Sequence, residues 1–113
     1  MHEVGLAGSI LKISLEAVGD SGAEKITSVR VKIGKYSGVE PESLRFAFDA
    51  LSRDTLAEKA ELVVDVPATV LQCGSCSAEY QTEDFPFLCN VCNRYCSKIL
   101  HGSEFEIISL EVE

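Results

Sequence analysis

Basic residues are scarce: ten Lys and Arg stand against eighteen Asp and Glu, giving a formal charge of −8 and a pI near 4.7 over 113 residues. A surface of that sign repels phosphate backbones, and nucleic-acid binding relies on Lys and Arg displacing counterions, so no DNA or RNA partner is expected. The nearest approach to a basic cluster is Lys25, Arg30, Lys32 and Lys35. There Arg30 and Lys32 alternate with Val29, Val31 and Ile33, the pattern of a strand with one solvated face. Long apolar runs are also missing. Nothing approaches the ~20 residues that cross a bilayer, and the N-terminus has neither the basic start nor the apolar stretch of a signal peptide. No membrane association and a cytoplasmic location are therefore expected, in a compartment where paired CxxC motifs mean metal more often than disulfide. No internal repeat beyond two such motifs and no low-complexity tract occurs, and nothing pairs a nucleophile with a base, so the chain does not read as an enzyme.

What is present suits a small folded chain with a modest core, to which a metal would add stability. From Val4 to Val18, the residues Val4, Ala7, Leu11, Leu15 and Val18 recur every three or four positions, predicting an amphipathic helix that stops at Gly19-Asp20-Ser21-Gly22. Residues 25 to 33 alternate as a strand with Val29, Val31 and Ile33 inward. Pro41 suits the first turn of a second helix, because its missing N–H needs no partner there, and the expected buried stripe is Leu44, Ala47, Phe48 and Leu51. Glu61 to Val66 and Glu104 to Val112 read as two further strands. In the last, apolar residues of both parities predict a bulge or burial on both faces. The fold class is α+β: two helices packed on a three-stranded, mainly antiparallel sheet, with an inserted zinc-ribbon-like module. The α/β part comes from residues 1–69 plus 103–113. The module, residues 70–102, holds every cysteine and little helical or strand periodicity.

Within that module Cys73-Gly-Ser-Cys76 and Cys89-Asn-Val-Cys92 are separated by twelve residues, the spacing of two knuckles that converge on one tetrahedral Zn²⁺. Four thiolates close the coordination sphere, so the metal is expected to be structural. Unrelated buried cysteines, two disulfides and a rubredoxin-like iron centre are competing readings of the same residues. Ser77 and Asn93 stand where Gly commonly follows the second Cys of a knuckle. Asn tolerates a left-handed backbone better than Ser, so the first knuckle is expected to be the less regular. Cys96 is left over, as a small buried hydrophobe or spare thiol or, in the sharper reading, an alternative ligand or redox sensor. His101 reads as a solvated loop residue.

At the other end, His2 lies next to the initiator. The Met1 amine, the His2 backbone nitrogen and the His2 ring can form fused chelate rings, an N-rich tetragonal arrangement suited to Ni²⁺ or Cu²⁺; the bland alternative is a residue in a frayed end.

Four segments, MHEVGLA, VRVKIGKYSGVEPESLRFAF, the paired CxxC module and FEIISLEVE, together resemble the HypA/HybF family of hydrogenase nickel-incorporation proteins. The resemblance runs over essentially the whole chain. It implies a nickel metallochaperone that helps deliver Ni²⁺ to the large subunit of [NiFe]-hydrogenase alongside the GTPase HypB, with urease maturation proteins as further partners by family analogy alone. It also implies nickel held by His2 and nearby backbone nitrogens, Met1 included, with the side chain of Glu3 supporting the site or the partner contact. Family members differ in whether an acidic residue after the first strand joins, and Glu40 holds that place here. Zinc ligands carry over to Cys73, Cys76, Cys89 and Cys92, whereas Cys96 and His101 lie outside the family pattern. A zinc-ribbon adaptor without nickel and an iron–sulfur electron carrier are the rival functions.

Overall fold

The computed structural model describes residues 2–82, 87–95 and 97–113. In chain order the elements are α1 (His2–Val18), β1 (Ile26–Ile33), α2 (Pro41–Leu51), β2 (Glu61–Asp65), β3 (Val70–Cys73), β4 (Glu79–Gln81), β5 (Ser97–His101) and β6 (Phe105–Val112). They form two compact units, one of residues 1–32, 39–65 and 106–113, the other of residues 33–38 and 66–105.

In the first unit the three-stranded sheet has the order β2-β1-β6, so β1 is central. Val29, Val31 and Ile33 are buried as their alternation predicted. The opposite face of β1 is tied to its neighbours by charge: Arg30 reaches Asp65 of β2 at 2.7 Å and Lys32 reaches Glu106 of β6 at 3.4 Å. These cations therefore belong to a solvated strand face. Of the two strand pairs, β1 and β2 run parallel, from Ser28 beside Glu61 to Lys32 beside Asp65. The intervening helix dictates this, because a parallel pair needs a long crossover and α2 supplies it. At the other edge the chain runs antiparallel, with the Glu24 N–H on the Glu113 carbonyl at 2.8 Å and the Glu113 N–H on the Lys25 carbonyl at 2.9 Å.

Glu40 caps α2: its carboxylate accepts the Ser43 N–H at 2.6 Å, and Pro41 follows at the first helical position. At the far end the Ser52 N–H closes on the Phe48 carbonyl at 2.9 Å. Leu44, Ala47 and Phe48 are buried as expected, whereas Leu51 stays 40% exposed. On α1 the buried residues are Ala7, Ile10, Ser14 and Val18. Val4, Leu11 and Leu15 of the predicted stripe are thus displaced from the core, and Ile10 and Ser14 take their place. Ser14 is tolerated there because its hydroxyl donates to the Ile10 carbonyl at 2.6 Å, leaving no polar atom unpaired. On β6, half-buried Phe105 and Ile107 share one parity and Leu110 the other, while Ile108 and Val112 remain exposed at this sheet edge.

The second unit has more regular structure than its sequence advertises. Its sheet has the order β4-β3-β5, antiparallel throughout, with Leu71 beside Tyr80 on one side and Ile99 on the other. Strands of three to five residues are too short for periodicity to announce them. Its core is Leu71, Cys73, Tyr80 and Cys89, with Ala78, Phe87, Cys92 and Ile99 packed around it. Two segments of the unit nearly touch at glycine: a Cβ on Gly34 would lie 2.1 Å from the Gly102 carbonyl oxygen. The Tyr36 N–H donates to that same carbonyl at 2.7 Å, so only glycine admits the approach.

Candidate metal centre

β3 delivers Cys73 into the core at its last residue, and the chain then turns through Gly74 and Ser75 to Cys76. The Ser75 N–H points at the Cys73 sulfur at 3.4 Å, the Ser77 N–H donates to the Cys73 carbonyl at 2.9 Å, and the Cys73 N–H reaches the Ala78 carbonyl at 2.9 Å. Around Cys89 the same three bonds recur: Val91 N–H to sulfur at 3.4 Å, Asn93 N–H to the Cys89 carbonyl at 3.0 Å, and Cys89 N–H to the Arg94 carbonyl at 2.9 Å. Ser77 and Asn93 both adopt the left-handed conformation, at φ 63° and 59°. The expected irregularity of the first knuckle is therefore absent. Its regularity is held at the cost of a strained serine, since a Cβ crowds the following carbonyl in that conformation. Ser77→Gly is expected to stabilise the second unit by about 0.5–1 kcal/mol, with a smaller gain for Asn93→Gly, read as a rise in thermal midpoint at constant zinc content.

The four sulfurs meet. Cys73 and Cys92 are 3.5 Å apart, Cys76 and Cys89 are 3.6 Å apart, and all four lie within 4.8 Å of one another. A disulfide requires about 2.0 Å, so none of these pairs is bonded. A tetrahedral ion with bonds of about 2.3 Å would set its thiolates about 3.8 Å apart, which the cluster matches. N–H donors from Cys76 and Ser75 pull the Cys73 thiol down to about 6, and those from Cys92 and Val91 lower Cys89. Loss of solvation, with the Cys73 sulfur beside it, pushes Cys92 up to about 12. Four thiols so close cannot all ionise alone, and a divalent cation among them removes the conflict. Cys73 and Cys89 are buried, Cys92 half-buried and Cys76 exposed. Among the described residues this is the only group of three or more His, Cys, Asp and Glu side chains whose ligand atoms converge. Cys96 lies outside the described residues.

The N-terminal candidates are arranged differently. α1 begins at His2, which is exposed, and Glu3 occupies its first turn. The Glu3 carboxylate accepts the Glu40 N–H at 3.2 Å, joining the first turn of α1 to the cap of α2. The Glu40 carboxylate is held below its ordinary pKa, first by the Ser43 N–H it caps. Glu40 thus has a structural task that the sequence reading did not assign to it; the signal was its place just before Pro41. His101 is exposed and its Nδ1 lies 3.2 Å from Glu104. Met1 lies outside the described residues.

One small unit with a four-cysteine cluster that could hold a metal ion, and another whose first helix begins at a His-Glu pair, define a small two-unit protein with a candidate metal centre. The family model for hydrogenase and urease nickel incorporation metallochaperones, HypA, matches residues 1–112, and the chain belongs to that family. It is 37% identical, over the full length of both chains, to the hydrogenase maturation factor HypA of Chlorobaculum tepidum. Among solved structures it resembles a HypA protein in solution, with a TM-score of 0.74 and 26% identity over 100% of this chain and 97% of that one. The nickel metallochaperone HypA from Helicobacter pylori has a TM-score of 0.68 and 25% identity over 97% and 96% of the two chains. The family is one of metallochaperones for hydrogenase and urease nickel incorporation, and the curated relative is a hydrogenase maturation factor.

Proposed function

We propose that this chain binds Ni(II) at its N-terminus and helps insert it into the large subunit of [NiFe]-hydrogenase, working with the GTPase HypB in the cytoplasm. Urease maturation proteins are a further set of partners on the same reading. The observation that carries it, within a chain of this family, is the fixed start of α1. The first four N–H groups of a helix have no intrahelical acceptor, so the backbone nitrogens at His2 and Glu3 are not committed to the helix. The Met1 amine, the His2 amide nitrogen and the His2 imidazole supply the donor set suited to a tetragonal ion such as Ni²⁺. Glu3, bonded to the Glu40 N–H, steadies the first turn of α1, which carries His2. Glu40 keeps one carboxylate oxygen for Ser43, which favours a capping role over a primary nickel donor.

The work is binding and handover, with no bond-making chemistry. An exposed, nitrogen-rich site binds nickel yet yields it to sulfur-rich ligands. Because the donors must be deprotonated, affinity falls as pH falls. Residues 1–69 plus 103–113 act as the nickel-binding domain and residues 70–102 as the zinc-binding one, with Zn²⁺ held by Cys73, Cys76, Cys89 and Cys92. Zinc is favoured over iron because the site's role is structural and needs no electron transfer. Nickel titration of the protein with its native terminus tests the proposal: His2→Ala is expected to lose nickel binding at unchanged zinc content. An adaptor without nickel would titrate alike in both, and an iron protein would be coloured.

A further inference from the structure

The predicted and observed buried faces of α1 disagree in direction. At about 100° per residue, the apolar stripe through Val4, Leu11 and Leu15 is turned roughly 75° from the face that Ala7, Ile10, Ser14 and Val18 bury. The excess apolar surface points toward the side of Val4 and Gly8. There it meets α2, whose Leu51 side chain lies 3.9 Å from the place a Cβ on Gly8 would take. Between the two helices runs a groove of about 450 Å³. Val4, Phe46 and Leu51 form its walls, Ala47 and Ala50 are among the residues lining it, and Glu3 and Glu42 are the charged groups among the described residues that line it. Phe46 is 78% exposed, and Val4 and Leu51 are each 40% exposed. A phenylalanine exposed on that scale beside two other apolar walls leaves apolar surface in water that a partner could cover.

We propose that this groove seats an amphipathic helix of a partner protein, whose apolar side chains fill the space between Val4, Phe46 and Leu51 and whose flanking Lys or Arg reaches Glu3 and Glu42. The lining decides the conformation of the occupant. Both walls are helices, whose backbone groups beyond the first turns are paired within the helix, so an extended segment would find no ladder to join. A helix brings its own backbone satisfied, and the small side chains of Ala47 and Ala50 let it approach closely. The charge decides its sign. Glu42 is shared with Arg45, and the Glu3 carboxylate takes the Glu40 N–H, yet among the described residues no cation lines the groove. A second copy of this chain, meeting the groove with its own, would bring the same side chains and no complement for these carboxylates. Formal charge of −8 on each copy opposes that pairing further.

The test needs no nickel and so stands or falls apart from the metal proposal. Full-length protein is titrated into a fluorescein-labelled Leu/Lys amphipathic helical peptide and, separately, its Leu/Glu counterpart with the same Leu spacing. The expected result is saturable one-to-one binding of the Leu/Lys peptide alone, weakened at least about tenfold by Phe46→Ser and less than about threefold by Phe46→Leu. Phe46 is solvent-facing, so both variants are expected to keep the fold, with circular dichroism as the check. Equal binding to the native and Phe46→Ser proteins would reduce the interaction to net charge and overturn the proposal. So would equal binding of the two peptides, or Phe46-dependent self-association without peptide binding, which would give the groove to a second copy.

Discussion

Cys89→Ala is expected to empty the four-cysteine site and unfold the second unit, while α1 and α2 survive. Structural zinc in small sites supplies on the order of ten kcal/mol of apparent binding free energy, much of it folding free energy. The dependence should be severe here because the buried core of this unit is Leu71, Cys73, Tyr80 and Cys89, of which two belong to the four-cysteine cluster. Without the ion those thiols lose the charge partner that reconciles their packing, and little apolar burial remains to hold strands of three to five residues. The first unit has its own core, with Phe48, Ile10, Val29 and Val31 fully buried. Metal analysis should therefore show zinc lost, limited proteolysis should cut within residues 66–105, and helical circular dichroism should persist. Stoichiometric zinc with an unchanged melting profile in this variant would break the four-thiolate assignment. Cys96→Ser is expected to retain the metal.

Adding one or two residues ahead of Met1 is expected to lower nickel affinity at least about a hundredfold, leaving zinc content, secondary structure and stability as they were. Every side chain remains in such a protein. What changes is that the Met1 amine becomes an amide and the free terminus leaves the chelate ring. His2 then binds as a single donor, without the effective concentration that linked donors provide. Calorimetric titration with Ni²⁺ reads the change. His2→Ala should reproduce it, whereas Glu3→Gln should weaken handover or partner contact more than primary binding, since Glu3 holds the Glu40 N–H. Undiminished affinity in the extended protein would remove Met1 from the ligand set and send the search to other side chains, Glu40 first.

Local chemistry made some features legible in the residue string. The alternation of Val29, Val31 and Ile33 marks a strand because a one-residue slip would expose them all. Pro41 marks a helix start because its backbone has no N–H to lose, and the two CxxC knuckles announce one metal because four thiolates at that spacing fit a tetrahedral ion. Each signal is carried within a few residues, so no knowledge of distant contacts is needed to read it. Other features were decided only by tertiary packing. α1 carries more apolar surface than its neighbours cover, so which side is buried depended on where α2 lies, and the surplus became the Val4–Phe46 groove. The parallel pairing of β1 with β2 follows from the route of the chain through α2. Glu3 meets the Glu40 N–H across 37 positions of sequence, and Ser77 takes a left-handed conformation that its residue type disfavours. Periodicity states which side chains prefer to leave water, but the choice among them is made by the surfaces that arrive to cover them, and those are assembled by residues far away in the chain.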